Sequence, residues 1–223
     1  MRWAGLPSIS TLPEVGLIDG EPAHRMAPYF LAQKVAYVPQ RSTVAAAFTV
    51  REIVELGRYV LPVNHQRVDD ALARLQLTDL AHRPYAELSD GQQQRVTLAR
   101  ALAQLNFRQS SDKREDAAEV ESPHLVLDEP MSAMDLRHVR DVVSLLRELS
   151  SQGVTILIAL HDLTLAAAIA DDVWLLEDGT MTAGAADEVL TVQRLREVYG
   201  VPFEWVRGRL LTALHQPEAG GNA

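Results

Sequence analysis

Carboxylates and a histidine follow two apolar runs of the sequence directly. Asp128 and Glu129 come immediately after the run 125–127, and His161 with its acidic neighbour comes after the run 154–160. Ligands of parallel sheets bind outside the carboxyl ends of the strands, so we expect these polar groups at one edge of a sheet. A single acid after a strand is more simply explained as a helix cap, but two such pairs favour a binding site.

A second candidate site is the start of a predicted helix that suits an anion such as phosphate. Ser89 and Gln92 fit a capping box, in which each side chain satisfies a backbone donor of the other. Gly91 removes the side chain that would keep a phosphate away from the free N–H groups of the first turn. The same spacing opens many ordinary helices, so this segment alone favours a plain helix start.

The elements that carry these residues predict a parallel α/β sheet. The runs 125–127 and 154–160 are typical of strands that are buried on both faces. Apolar residues at helical spacing over 136–149 predict a connecting helix that stops near Gly153. A strand, a helix and a second strand at this spacing imply a right-handed crossover.

Upstream of this unit the pattern changes from strands to helices. An Asp-Gly turn at the end of 15–20 predicts a hairpin, and 35–38 form a second strand candidate. Thr49 and Glu52 fit a capping box that opens a helix reaching about Arg58.

The remaining segments complete the predicted order of elements. A helix is predicted over 66–75, which makes 42–105 a mostly helical block between strand-bearing segments. The polar and charged stretch 109–122 predicts an exposed loop, a hairpin is expected at 178–179, and a helix at 189–199.

The composition of the chain excludes several classes of protein and of binding site. The 223 residues are 47% hydrophobic, which is enough for a substantial core and excludes a disordered tail. A net charge of -9 makes nucleic acid a poor partner. Without cysteine, thiolate metal sites and disulfides are impossible, and the apolar runs are too short for a membrane helix, so we expect a cytoplasmic location.

Five segments in a fixed order resemble the nucleotide-binding cassette of ABC transporters. They are a Q-loop at 38–40, the signature segment at 88–102, a Walker B strand at 125–130, a D-loop at 132–135 and the switch histidine at 161. The similarity extends from about 15 to 214. It implies an α/β fold of the P-loop NTPase (RecA-like) type, with a mixed sheet and an inserted helical subdomain.

The resemblance implies a role for each matching residue, with ATP and Mg²⁺ as cofactors. Asp128 would hold Mg²⁺, Glu129 would act as the general base, and His161 would contact the γ-phosphate. Gln40 would touch both Mg²⁺ and the attacking water. Such roles suit phosphoryl transfer, in which catalysis is mostly positioning and charge neutralisation.

Other residues would act across a dimer of two cassettes. Ser89, Gly91 and Gln92 would bind the γ-phosphate held by the opposite subunit, and Asp135 would help to join the subunits. Asp90 departs from the family's commoner glycine, and we expect its carboxylate to point away from the nucleotide.

The resemblance also implies a division of the chain into segments. These are a remnant of the N-terminal core at 1–41, a helical signature subdomain at 42–108, an exposed charged loop at 109–122, a RecA-like core at 123–215 and a disordered tail at 216–223.

The phosphate-binding Walker A loop of the family is missing from this sequence. That loop ends in a Gly-Lys pair, but the two lysines, Lys34 and Lys113, follow other residues. The segment 4–7 resembles the stretch that follows this loop in the family, so we expect the N-terminal strand, P-loop and helix to be absent. The chain alone is therefore expected to bind ATP weakly, and the lost edge of the core is expected to expose apolar surface.

The segments 47–58, 99–105 and 198–202 resemble the branch that imports heme and iron–siderophores. This branch implies a second ATPase subunit, transmembrane permease subunits and, indirectly, a substrate-binding protein as partners, at the inner face of the membrane. A non-catalytic regulatory or assembly subunit that lends its signature to an intact cassette is the alternative. Four histidines without ligand spacing are expected to be solvated surface residues: His65, His82, His124 and His138.

Overall fold

A computed structural model of the chain describes residues 17–40, 48–105, 123–206 and 209–212, the last four and Val206 by backbone alone. The predictions for 1–12, 109–122 and 216–223 lie outside these residues. The chain divides into two compact units, one over 15–159 and one formed mainly by the residues from Leu160 onward. Each unit is described by itself.

The first unit contains two hairpin strands, a short helix and a three-stranded sheet joined through a helical block. Its elements are β1 (Leu17–Ile18), β2 (Glu21–Pro22), α1 (Pro28–Lys34), β3 (Val35–Val38), α2 (Val50–Leu56), α3 (His65–Arg74), α4 (Asp90–Gln104), β4 (His124–Asp128), α5 (Leu136–Ser151) and β5 (Thr155–Ala159). Short 3₁₀ helices lie at Ala23–Arg25, Thr78–Leu80 and Tyr85–Glu87.

The sheet has the order β3-β4-β5 and all three strands are parallel. Val38 pairs with Leu127, and Leu127 pairs with Ile158. The parallel α/β sheet and the helix α5 between β4 and β5 confirm the sequence prediction. The carboxyl ends of β3 and β4 therefore reach the same edge.

The burial predicted for β5 is wrong. Residues of this strand alternate between exposed and half-buried, whereas alternate residues of β4 are fully buried. Leu157 is 47% exposed, and it lies in register, through Val126 of β4, with Tyr37, which is 51% exposed. One face of the sheet thus presents apolar side chains to solvent, although both faces of parallel sheets are normally covered.

The hairpin β1–β2 turns at Asp19 and Gly20, as predicted, and its turn is held by charged groups. Asp19 Oδ2 lies 2.9 Å from Lys34 Nζ, and Asp19 Oδ1 lies 3.2 Å from His124 Nε2. The hydrogen bond from Lys34 is the largest cause that holds the pKa of Asp19 below its usual value. His124 is consequently a half-buried partner of a carboxylate, and the expectation of a solvated surface histidine is wrong for it.

Three helices form the block that the sequence predicted between the strands. Thr49 and Glu52 form the predicted capping box of α2. Gly57 follows α2 at a point where a Cβ atom would overlap the backbone oxygen of Arg100 in α4. The buried guanidinium of Arg58 donates hydrogen bonds to the carbonyl oxygens of Ala103 and Pro62, which joins α2 to the end of α4.

The helical block is tied to the sheet at the far end of α4. Gln104 Nε2 donates hydrogen bonds to the carbonyl oxygens of Ala32 and Val35, at 2.7 and 2.9 Å, where α1 passes into β3. Arg74 Nη1 of α3 also reaches Glu148 Oε1 of α5 at 2.8 Å. The block and the core elements are thus connected by polar side chains as well as by packing.

The second unit consists of short helices and two antiparallel hairpins. Its elements are α6 (Leu163–Ile169), β6 (Asp172–Glu177), β7 (Thr180–Ala185), α7 (Ala186–Val189), α8 (Val192–Tyr199), β8 (Phe203–Val206) and β9 (Arg209–Thr212). Leu175, Val189, Leu190 and Leu195 form its buried core.

The hairpin predicted at 178–179 joins β6 and β7. The helix predicted over 189–199 is confirmed as α8, but it begins three residues later, because the chain bends after α7 and Thr191 caps α8 by accepting a hydrogen bond from the Arg194 N–H. No helix in the described part of the chain is long and apolar enough to span a membrane.

Candidate functional site

The carboxyl edge of the parallel sheet brings three of the predicted site residues to neighbouring strand ends. Asp128 is the last residue of β4 and is half-buried, and Glu129 follows it. Gln40 lies two residues beyond the end of β3, the strand that pairs with β4, and its side chain is exposed.

Glu129 begins a tight turn in an uncommon backbone conformation. Its φ is +46°, in the left-handed region that residues other than glycine rarely adopt. The Glu129 N–H donates to the carbonyl oxygen of Ala159 at 3.1 Å, which extends the pairing of β4 with β5 by one residue. Its own carbonyl oxygen accepts from the Ser132 N–H at 3.3 Å.

The start of α4 has the capping geometry that the sequence predicted. Ser89 Oγ accepts from the Gln92 N–H at 3.4 Å, and Gln92 Oε1 accepts from the Ser89 N–H at 3.0 Å. The box therefore engages the acceptor oxygens of both side chains. The hydroxyl hydrogen of Ser89 and the Nε2 hydrogens of Gln92 are donors that the box does not use. Asp90, the first residue of the helix, is exposed.

The absence of a side chain at position 91 has a structural reason that the sequence did not reveal. A Cβ atom at this position would lie 2.6 Å from the carbonyl oxygen of Ala133, a distance shorter than a van der Waals contact. The first turn of α4 and the turn that follows Glu129 therefore touch through their backbones within one chain. This close approach adds a second role to the one predicted from phosphate access.

Asp135 acts as a helix cap within its own chain. Its Oδ1 accepts from the His138 N–H at 3.0 Å and lies 2.9 Å from His138 Nδ1. The hydrogen bond from the His138 backbone is the largest cause of the lowered pKa of Asp135. His138 is half-buried beside this carboxylate, so the expectation of a solvated histidine is wrong here too.

His161 lies in the second unit, two residues after the end of β5, and its side chain is exposed. The next residue, Asp162, caps α6 by accepting a hydrogen bond from the Leu165 N–H at 3.0 Å. The simpler explanation of an acid after a strand is thus correct for Asp162. Of the site residues predicted from the sequence, His161 is the one that lies in the second unit.

Asp128 and Gln40 carry side-chain oxygens of the kind that bind Mg²⁺, at the ends of two paired strands. Mg²⁺ in phosphate sites is held by one or two protein oxygens and completes its shell with water and phosphate. Side chains at the ends of two paired strands fit this requirement. The described residues contain no group of three or more His, Asp or Glu side chains that would form an all-protein metal cage.

Comparison with known proteins agrees with the motifs. The ABC transporter family model matches residues 8–106. The hemin import ATP-binding protein HmuV of Shewanella denitrificans is 41% identical over 182 residues, which cover 79% of this chain and 67% of that protein. HmuV of Aliivibrio fischeri is 38% identical over 175 residues, which cover 76% of this chain and 63% of that protein.

A solved structure supports the fold as well. An inward-facing ABC transporter of the metal-chelate type superposes with a TM-score of 0.62 at 30% identity, covering 80% of this chain and 70% of the solved chain. The chain spans about two thirds of the length of the HmuV relatives. On these matches, the sequence motifs and the sheet topology, the chain belongs to the family of ATP-binding subunits of ABC transporters.

Proposed function

We propose that this chain is an ATP-binding subunit of an importer for heme or an iron–siderophore complex, and that residues 1–223 alone supply only part of an ATP site. The observation that carries the proposal is the pairing of a complete signature-helix start at Ser89–Gln92 with a sequence that contains no Gly-Lys pair. ATP and Mg²⁺ are the cofactors of the proposed reaction, at the inner face of the membrane.

The sheet edge supplies the groups that act on the attacking water and the metal. Asp128 and Gln40 would hold Mg²⁺, which would neutralise phosphate charge. Glu129 accepts the proton of the attacking water, and Gln40 orients that water. The resemblance to the family, rather than its position in the second unit, assigns to His161 the role of donating to the γ-phosphate.

The signature helix supplies the groups that act on a nucleotide of the opposite subunit. Its first-turn N–H groups and helix dipole attract an anion. The capping box directs acceptor oxygens inward, so Ser89 and Gln92 meet the γ-phosphate with donor hydrogens. Gly91 leaves the backbone open, and Asp135 lies at the subunit contact.

The substrate class rests on similarity rather than on a group within this chain. The relatives are named hemin import ATP-binding proteins, and the similar solved structure is a metal-chelate type transporter. The partners of the proposal are a second ATPase subunit, permease subunits and, through these, a substrate-binding protein. The helical segment 42–108 is the signature subdomain of this assembly, between the core segments 1–41 and 123–215.

The first experiment measures ATP hydrolysis by the purified chain alone. We expect turnover at the level of the Glu129→Gln variant, because a phosphate-cradling loop and its lysine are needed to hold the nucleotide. Thermal unfolding of both proteins serves as the control for folding. A robust rate that Glu129→Gln abolishes would contradict the proposal that the chain supplies only part of a site.

The second experiment tests whether the signature works for a partner. The chain is mixed with a full-length HmuV relative in which the signature serine has been replaced. The relative therefore lacks a functional signature of its own. We expect ATP hydrolysis to rise about tenfold on mixing, because a complete shared site stabilises the transition-state charge. Ser89→Asp, which retains a good helix cap but places a carboxylate against the phosphate, is expected to remove this gain.

The second candidate function is a non-catalytic subunit that lends its signature. That candidate is favoured by the intact capping box in a chain without a Gly-Lys pair. In the mixture the completed site uses the general base of the relative, so Glu129→Gln in this chain is expected to leave the rate unchanged under both candidates. A fusion of the relative's phosphate-loop segment to the N-terminus of this chain separates them: hydrolysis that Glu129→Gln abolishes supports the ATPase subunit, and a folded fusion without hydrolysis supports the non-catalytic subunit.

A further inference from the structure

The first turn of α4 and the turn that carries Glu129 are in direct backbone contact. Gly91 lies so close to Ala133 that a Cβ atom would come within 2.6 Å of the Ala133 carbonyl oxygen and 3.6 Å of its carbonyl carbon. Met134 Cα would lie 3.9 Å from the same atom. The contact is therefore made by backbone atoms, which cannot move aside as a flexible side chain can.

The contacted turn is continuous with Glu129. The Ser132 N–H donates to the Glu129 carbonyl oxygen at 3.3 Å, and the Met134 N–H donates to the Met131 carbonyl oxygen at 3.1 Å. Glu129 itself is held in its left-handed conformation by the bond from its N–H to Ala159. The turn at Ala133 is thus joined to the backbone of Glu129 through four residues and two hydrogen bonds.

A second residue on the same face of α4 fixes the helix against the chain that follows α3. Arg95 is one helical turn after Gly91 and is buried. Its Nη1 donates to the carbonyl oxygens of Leu75 and Gln76, at 2.9 and 3.3 Å. Burial lowers the pKa of Arg95, and the nearby Asp135 carboxylate opposes that effect. The first turns of α4 are therefore held at the end of α3 as well as in contact with the turn.

We infer that Gly91 is a positioning residue for Glu129 of its own subunit, in addition to its proposed contact with the partner's phosphate. The backbone contact between Gly91 and Ala133 couples the helix start that serves one nucleotide to the turn that carries the general base for the other. This inference rests on the proposed function for the roles of the helix start at Ser89–Gln92 and of Glu129. The backbone contact between the helix start and the turn lies within this chain and does not depend on those roles.

The sign of a substitution distinguishes this coupling from an ordinary helix effect. Alanine is a better helix former than glycine, so Gly91→Ala would stabilise an isolated helix. In this structure the added methyl group meets the Ala133 carbonyl, so the turn must shift. Asp90→Ala is the matched control, because Asp90 lies in the same helical turn and is exposed.

The experiment is amide hydrogen exchange of the purified full chain, followed by NMR. In Gly91→Ala we expect the amides of Glu129, Ser132 and Met134 to exchange at least about tenfold faster, relative to the Leu127 amide in β4. Asp90→Ala is expected to leave these ratios unchanged. Normalising to Leu127 removes any change in global stability.

A reciprocal variant keeps the test valid if Gly91→Ala does not fold. Coupling between two sites acts in both directions, so loosening the turn with Ala133→Gly must loosen the helix start. We expect faster exchange of the Gln92 and Gln93 amides, which bond to Ser89 at 3.4 and 2.9 Å. The amides in the middle of α4 are expected to be unaffected.

Unchanged exchange at Glu129, Ser132 and Met134 in a folded Gly91→Ala protein would overturn the inference. The inference would also be overturned if Ala133→Gly made the amides of the turn exchange faster but left the exchange of the Gln92 and Gln93 amides unchanged. Neither readout involves nucleotide, so failure here is distinct from failure of the proposed function, which the mixing experiment with the HmuV relative measures separately.

Discussion

Glu129 occupies a backbone conformation that its side chain disfavours. A φ of +46° brings the Cβ of a non-glycine residue close to backbone oxygen, at a cost of about 1 kcal/mol. The hydrogen bond from its N–H to Ala159 and the one from Ser132 to its carbonyl oxygen hold it there. Strain of this kind at a proposed general base indicates that position matters more than stability at this residue.

Glu129→Asn is predicted to stabilise the protein, because asparagine tolerates the left-handed region better than other side chains. We expect a gain of about 0.5 to 1 kcal/mol in the free energy of unfolding, measured by urea denaturation. Glu129→Gln is the control, since glutamine keeps both the side-chain length and the unfavourable backbone preference. Equal stabilities of the two variants would contradict this account.

Asp19 is predicted to stabilise the first unit in a pH-dependent manner. The pKa of this carboxyl is lowered in the folded protein, chiefly by the hydrogen bond from Lys34. A lowered folded pKa means that the stabilisation is present above the unfolded value of about 3.9 and is lost as the pH falls through the folded value. The same sign applies to Asp135, whose pKa is lowered by the His138 backbone.

Asp19→Asn tests this prediction, because asparagine also accepts the positive φ of 51° at this turn. We expect the variant to be less stable than the natural chain by about 0.5 kcal/mol at pH 7, and the difference to shrink as the pH falls below the ordinary pKa of an aspartate, about 3.9, in urea denaturation. Asp178→Asn is the control at the other Asp-Gly turn. A difference that persists unchanged at low pH would contradict the charged origin of the effect.

Elements whose sequences carry strong local signals were predicted correctly, and elements without such signals were not predicted. The capping boxes at Thr49 and Ser89 were predicted because each depends on residues three positions apart. The helices α1 and α6 and the hairpin β8–β9 were not predicted. Helix α6 has seven residues, six of which are Ala, Leu or Ile, so its sequence carries little helical periodicity.

The two capping boxes provide a matched pair of predictions. Ser89→Ala and Thr49→Ala each remove the side chain that accepts a helix N–H, so each is expected to lower the free energy of unfolding by about 1 kcal/mol in urea denaturation. In the mixture with the HmuV relative, only Ser89→Ala is expected to lower ATP hydrolysis. Equal loss of activity in both variants would show that capping alone explains the effect.

The sequence predicted the parallel topology of the sheet, but it did not predict which faces of the sheet are covered by other elements. Apolar runs of β-branched residues predict parallel strands, and β3, β4 and β5 are parallel. Whether a strand is covered depends on elements distant in sequence, which local patterns do not specify. The close approach of Gly91 to Ala133 is missed for the same reason, because 42 positions of sequence separate them.

The exposed face of the sheet is predicted to bind hydrophobic dyes and to promote association. Leu157→Lys places a charge in the middle of the apolar strip formed with Tyr37 and Val126. We expect lower fluorescence of the dye ANS and less light scattering at high protein concentration, because contiguous apolar patches drive association.

Leu136→Lys is the control for this prediction. Among the residues that the structure describes, Leu136 is the most exposed of the large apolar side chains, at 88%, but it begins α5 rather than lying on the sheet face. We expect its replacement to leave dye binding and scattering nearly unchanged. Equal effects of the two substitutions would indicate that total apolar exposure matters and that the sheet face is not a distinct patch.

Helix α4 is held by contacts at both ends, so it acts as a spacer of fixed length between them. Its fifteen residues span about 22 Å, from Gly91 against Ala133 to Gln104 against the carbonyls of Ala32 and Val35. Arg95 and Gly57 hold it between these points. One continuous helix about 22 Å long thus connects the turn after Glu129 with the junction of α1 and β3, so the spacing between these two places is set by its length.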